Sequence, residues 1–315
     1  MKRLWPSSPD MTQRVQVCSE ENKTVYRGLY TDSAQYGTVV IPEGYTDIAE
    51  NAFRDYAFLE EVVLPKSLLA IGACAFAGCN KLRRVVMERG LVSIGDEAFS
   101  SCPSLNGIDI PDTVKTIGEG AFEACAGLTR VKLSESVTVI GAGCFSYCFN
   151  LTDIIIPDSC VAIEFNAFAG CFSLEAVTLS ASMTVIDENL FDGCRSLRTV
   201  DMPGGLLAVG RRAFNGCSSL TELLLPPSLR AIGFDAFSGC TALERIALPR
   251  GLREIEDMDA FEGCDNLRAV VFGGDSEEWQ TLTGGTTLTV RRSGGDFSVP
   301  TVSFLVRENE VQDEV

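Results

Sequence analysis

Nine phenylalanines stand at an unbroken 23-residue step, Phe53, Phe76, Phe99, Phe122, Phe145, Phe168, Phe191, Phe214 and Phe237, and a tenth, Phe261, follows after one extra residue. A chain with such a period is an array of stacked units, each burying its apolar face only against its neighbours. The same frame returns around each Phe: a small residue before it, Cys three after, Leu six after, apolar residues nine and eleven after, often Pro at twelve, and Ile or Val at eighteen. The length of 315 residues therefore predicts one elongated stack rather than two separate cores.

One period can be built from its residues. In Leu174-Glu175-Ala176-Val177-Thr178-Leu179, Leu174, Val177 and Leu179 point inward, and the spacing of the last two is that of a β-strand. Proline beside the strand end, as at Pro65, Pro111, Pro157, Pro203, Pro226 and Pro249, fixes φ and turns the chain off the sheet. A second apolar pair such as Leu229 and Ile232 predicts a short extended stretch, and x-x-Ala-Phe-x-x-Cys predicts one helical turn carrying Phe inward. So short a turn is marginal alone and depends on stacking. The frame extends back once, placing an eleventh strand near Tyr36 to Ile41. The expected organisation is an N-terminal segment and cap over 1–35, ten full-frame repeats plus one partial over 36–272, a C-terminal cap over 273–306 and an acidic tail over 307–315. Within the last cap, Gly273 to Trp279 leads into a short helix, with strands over 286–291 and 299–306. Eleven strands at about 4.8 Å give a sheet about 50 Å long.

The frame L-x-x-V-x-L-P-x-S-L-x-x-I-G-x-x-A-F-x-x-C, nearly complete in Leu220 to Cys240, resembles BspA-like leucine-rich repeats. The ending Val271-Phe272-Gly273-Gly274-Asp275-Ser276-Glu277-Glu278-Trp279 is similar to the Gly-acidic-Trp cap that closes such arrays in gut Firmicutes. The fold expected is thus a leucine-rich-repeat solenoid, a β-rich α/β horseshoe with a parallel sheet on one face and short extended segments and single helical turns on the other. The resemblance implies a curved binding solenoid, with some relatives acting as surface adhesins toward host proteins. The chain itself shows no leader, sorting signal or anchor, so the expectation leans to a cytoplasmic protein, with the bacterial surface or secretion as the alternative.

Composition narrows the chemistry. The net charge of −17 argues against nucleic acid and anionic membrane as partners. No stretch approaches the ~20 apolar residues of a membrane span. Histidine is absent, which removes Ser-His and Cys-His nucleophiles and His-ligated metals. No cofactor or metal is expected, and no catalytic residue is assigned. Of thirteen cysteines, nine share one frame position, from Cys79 to Cys264. Side by side on neighbouring rungs, they predict a ladder of buried free thiols, not disulfides. Cys74 falls outside that position and is the thiol expected at the surface.

The function expected is a non-enzymatic interaction scaffold binding a protein or peptide through its sheet face and one loop edge; the alternative is a cell-surface adhesin for host matrix proteins or glycans. On the sheet face, Ile155 and Leu224 are apolar residues in outward slots, and Arg84, Arg130 and Lys132 are the cations there. Glu61 with Arg84 and Arg130 with Asp153 are candidate cross-rung ion pairs. On the loop edge, Tyr147, Phe149 and Phe172 replace the small or polar residues of other repeats, Phe149 and Phe172 in one slot on successive rungs. They form either a partner contact continuing toward Ile155 or a mutual stack covering the core.

Overall fold

A computed structural model describes residues 19–20, 23–26, 37–285, 290–291, 297–298 and 300–304. Most of the segment 1–35, positions 286–289 of an expected strand, and the acidic tail 307–315 lie outside the described residues, as does Cys18.

Each coil begins with a three- or four-residue strand, the first at Thr38–Val40 and the next at Glu61–Val63, Arg84–Val86 and Gly107–Asp109. Strands pair in parallel one repeat apart, as in Glu61 opposite Arg84 and Val62 opposite Val85. The middle residue faces inward and its neighbours outward, the period of two that a pleated strand imposes. A second, two-residue strand follows the Pro corner, as at Ala70–Ile71 and Thr116–Ile117, and these also pair in parallel through their buried Ile or Val. Strand Lys23–Tyr26 extends this second ladder at its start.

The Phe segment differs from a helical turn. Amides of Cys74, Phe76 and Gly78 donate at 2.8 Å to the carbonyls of Asp96, Ala98 and Ser100 in the next coil, while those of Ala75, Ala77 and Cys79 close tight turns onto Gly72, Cys74 and Phe76. A helix would satisfy every amide internally; here alternate ones are shared, making a third column of inter-coil bonds. Left-handed residues two before and two after Phe permit the alternation, with φ of 52° at Cys74 and 73° at Gly78. Only the last repeat has a 3-10 turn there, Met258–Phe261.

Inside, the ten Phe rings form one column with centroids 5.1 to 5.8 Å apart and nearly parallel planes. At that separation parallel rings are offset, the favourable geometry, worth about 0.5–1.5 kcal/mol per pair beyond burial. Phe122 and Phe214 are fully buried. Beside the rings runs the cysteine ladder. Each of its nine thiols donates to the carbonyl of the Phe one coil earlier, from Cys79 to Phe53 at 3.1 Å through Cys264 to Phe237 at 3.1 Å. That carbonyl also takes an amide of its own turn, as Phe76 does from Cys79, so the thiol fills its second lone pair with a side chain small and apolar enough for the core. The described cysteines are all free, and only Cys74 is not buried.

The long-strand ladder is not continuous. It lapses between Arg84–Val86 and Gly107–Asp109, between Arg130–Lys132 and Asp153–Ile155, and between Thr199–Asp201 and Glu222–Leu224. Along the inward slot these are the three steps at which a Val is followed by a longer residue: Val85 by Ile108, Val131 by Ile154, Val200 by Leu223. The reverse steps, Ile108 to Val131 and Ile154 to Val177, keep their ladder, and Val131 and Val200 are the inward residues left only partly buried.

At the C-terminal end, helix Ser276–Thr283 starts from Asp275 in a capping box with Glu278 and stops at left-handed Gly284. Trp279 sits on Phe272, ring centroids 5.4 Å apart, and strand Thr301–Phe304 pairs with Ala269–Phe272.

Candidate functional site

The aromatic edge is built by backbone that resists it. Tyr147 occupies the left-handed position two after Phe145 with φ 59°, where six of the ten repeats carry Gly. A bulky side chain there is an outlier, at a cost of about 1–2 kcal/mol. Its ring lies over Gly170, where an added Cβ would fall 2.7 Å from Tyr147 Cδ1. Tyr147 meets Phe149 edge-on at 6.1 Å, Phe149 stacks on Phe172 at 5.0 Å, and the Arg195 guanidinium sits 4.8 Å from the Phe172 centroid. Phe149, Phe172 and Arg195 share one frame slot on three successive coils. The result is a ring–ring–cation stack, and all three aromatics remain more than a third exposed.

Among the described residues the sheet face has a cleft at each of the first two ladder lapses. One, of 480 Å3, lies between the strands of Arg84 and Gly107 and is bounded by Arg130. The other, of 560 Å3, lies between Arg130, Lys132, Asp153 and Ile155. Arg84 pairs with Glu61 at 3.0 Å, as expected. Arg130 does not pair with Asp153; it reaches back to Asp109. The reason is Gly107, directly opposite Arg130 in the register, which has no side chain to block the guanidinium lying across it. Ile155 is 69% exposed and Leu224 79%, each in the first strand after a lapse. The structure thus brings Arg130, Lys132 and Ile155 to one cleft and Arg84 to its neighbour. Leu224 stands three coils beyond Ile155, and Tyr147, Phe149 and Phe172 form a separate cluster on the edge.

A family model described as a BspA type leucine rich repeat region, six copies, matches residues 46–175 and 161–282. The chain belongs to the BspA-type leucine-rich-repeat family. Among curated proteins none matches it significantly. The crystal structure of a leucine-rich repeat protein from Bacteroides ovatus is 22% identical, covering 93% of this chain and 98% of that one, with a TM-score of 0.50. One from Eubacterium ventriosum is 18% identical over 82% of this chain and 76% of that one, also at 0.50. A leucine rich cell surface protein from Faecalibacterium prausnitzii is 23% identical over 84% and 94%, at 0.43. The first two share the solenoid fold.

BspA-type repeats generally serve as scaffolds for protein interaction, and the side-chain chemistry here accords with that. Desolvation pushes the ladder thiols Cys79, Cys125 and Cys171 up to about 12, so they are protonated, unreactive core groups at neutral pH. Cys74 is raised too, by burial and then by Glu97, whose carboxylate lies 3.5 Å from its sulfur. Among the described residues no cluster of three or more metal-ligating side chains occurs, and no helix is long and apolar enough to cross a membrane. Two features escape a reading of the sequence. Arg195 completes the aromatic stack, and its slot was the available signal. On the second face Val161, Phe165, Val185 and Leu207 are exposed over three coils, in positions whose residue types do not distinguish surface from core.

Proposed function

We propose that this chain is a non-enzymatic scaffold that binds a protein or peptide through its loop edge at Tyr147, Phe149 and Phe172 and its sheet face at Ile155, Leu224, Arg84, Arg130 and Lys132. The array 36–272 supplies the surface, and helix Ser276–Thr283 with strand Thr301–Phe304 closes its C-terminal end. The observation that carries this reading is the backbone of Tyr147. Stacking needs only Gly at that slot, as most repeats show, yet a half-exposed tyrosine is held there in a left-handed conformation and props an aromatic cluster against solvent. Large exposed rings in a fixed arrangement are the usual anchors of protein interfaces.

The test is affinity capture from lysate of the source cell with the wild-type chain and with the double variant Phe149→Ser, Phe172→Ser. A partner held by the wild type should be lost by the variant while the thermal melt stays within a few degrees. Retention of the partner, or binding of glycans in place of any protein, refutes the proposal.

A further inference from the structure

The cleft at the first ladder lapse has the chemistry of an anion site. In a chain of net charge −17, its walls bring together Arg83, Arg84 and Arg130 against a single carboxylate, Asp109. Arg84 is engaged by Glu61 and Arg130 by Asp109, so two of the three guanidiniums already hold carboxylates at the surface. The exposed Arg83 side chain forms no ion pair among the described residues. The lapse adds donors. At other steps the amides that open a long strand donate to the preceding coil, as Arg83 and Arg84 do to Glu60 or Thr129 to Asn106, but the amides of Asn106 and Gly107 make no such bond to Arg83. Both residues line the cleft, with the Arg130 guanidinium lying across Gly107 at its rim. The planar guanidinium of Arg83 beside backbone N–H groups without a partner in the preceding coil suits a planar, bidentate anion.

We propose that this cleft is a carboxylate-recognition subsite that receives an Asp or Glu side chain of an acidic peptide segment, with Arg83 and the Asn106 and Gly107 amides as its donors. The proposal rests on the scaffold function above and adds to it the chemistry of the partner. Neighbouring Ile155, beyond Arg130, offers an apolar contact next to the acidic residue, so the fitting segment pairs an acidic with an apolar side chain.

Fluorescence anisotropy tests this with a labelled peptide of alternating Asp, Glu and Leu, its Asn and Gln counterpart, and inorganic phosphate as competitor, at about 0.15 M salt where distant charges are screened. Three variants are compared with wild type. Arg83→Gln should weaken the acidic peptide roughly tenfold. Gly107→Glu, whose Cβ would meet no atom closer than 3.6 Å, fills the cleft with its own carboxylate and should abolish binding. Arg245→Gln, in the same outward slot six coils on, should leave affinity within about twofold. Should Gly107→Glu fail to fold, Arg83→Gln decides. Binding indifferent to the cleft variants, equal loss on Arg245→Gln, equal affinity for the amide peptide, or displacement by phosphate as effective as by free peptide would each overturn the proposal. Because the peptide assay does not involve Phe149 or Phe172, its failure with partner capture intact removes this subsite and leaves the scaffold function standing.

Discussion

Inside the coils every step from Phe53 to Phe261 repeats one set of contacts, ring on ring and thiol to carbonyl, whereas on the long-strand face no two steps present the same side chains and three lack their backbone ladder. The Phe and Cys columns scarcely vary because each residue there touches its own kind above and below, so a substitution is felt by two neighbours. The face carries none of that load. Hydrogen bonds omitted there are compensated by the turn column and the second ladder, which leaves clefts, bare cations and apolar residues free to serve a partner.

The largest expected effect on this contrast is one of pH. The unfolded thiols ionise from an ordinary pKa of 9.0, while Cys79, Cys125 and Cys171 stay protonated in the fold to about 12. Between those values the unfolded state binds fewer protons, so the stability from these raised pKa values is complete below pH 9 and is lost as pH climbs toward 12. Each thiol contributes about 1.4 kcal/mol per pH unit in that window, and the three together about 4. Urea melts from pH 7 to 11 measure the slope, and Cys171→Ala should reduce it by one thiol's share. A stability flat across that range is incompatible with a buried, protonated ladder.

Next in size, Phe168→Ala at mid-array should cost about 3–5 kcal/mol by denaturant unfolding. A loss below 1 kcal/mol would mean that the column is not the load-bearing interior described. Smaller still are two glycine replacements that separate backbone from edge. Gly193→Ala meets nothing closer than 3.9 Å and should cost about 1 kcal/mol for its left-handed φ alone. Gly170→Ala, crowded by the Tyr147 ring, should cost about 2–3. Adding Tyr147→Ala should bring the Gly170 penalty down to the Gly193 value; without that coupling the ring is not where the edge requires it. The smallest change belongs to the face: Leu224→Ser should move stability by less than about 0.5 kcal/mol while lowering partner affinity.

The regular part of the molecule was legible because its signals are periodic. Phe every 23 residues, Leu at one slot and Pro at the corners determine coil, strand and register without reference to anything distant. The turn was harder. Phe and Cys three apart look helical, and the contrary signal, the Gly, Asn and Asp recurring two before or two after Phe, is plain only when positions such as Asn166, Gly170, Asp235 and Gly239 are read for left-handed tolerance. The partner of Arg130 is not legible in the sequence, where Asp153 is a candidate, because the choice between Asp109 and Asp153 depends on the emptiness of Gly107, a property of the rung beside it. The ladder lapses coincide with steps from Val to Ile or Leu in the inward slot, a difference of a single carbon that no composition or hydropathy pattern registers. Of the proposed site, residue identities could be read in the sequence, but which of them share a cleft could not.

The shared amides of the turn column have an electrical consequence. In each coil three peptide units, those ending at Cys74, Phe76 and Gly78 for example, point their N–H groups toward the C-terminal end and their carbonyls toward the other. Coil after coil, the dipoles of this one column add with its positive pole at the last repeat, while the strand-opening amides of the other two columns, such as Gly72 to Ile48 and Arg83 to Glu60, point the opposite way. There the sequence places Asp257, Asp259, Glu262 and Asp265, and the Asp257 carboxylate accepts from the amide of Asp259. Lengthening or shortening the array would carry the open amides of the turn column with it, and the carboxylates of the final repeat stand where those amides end.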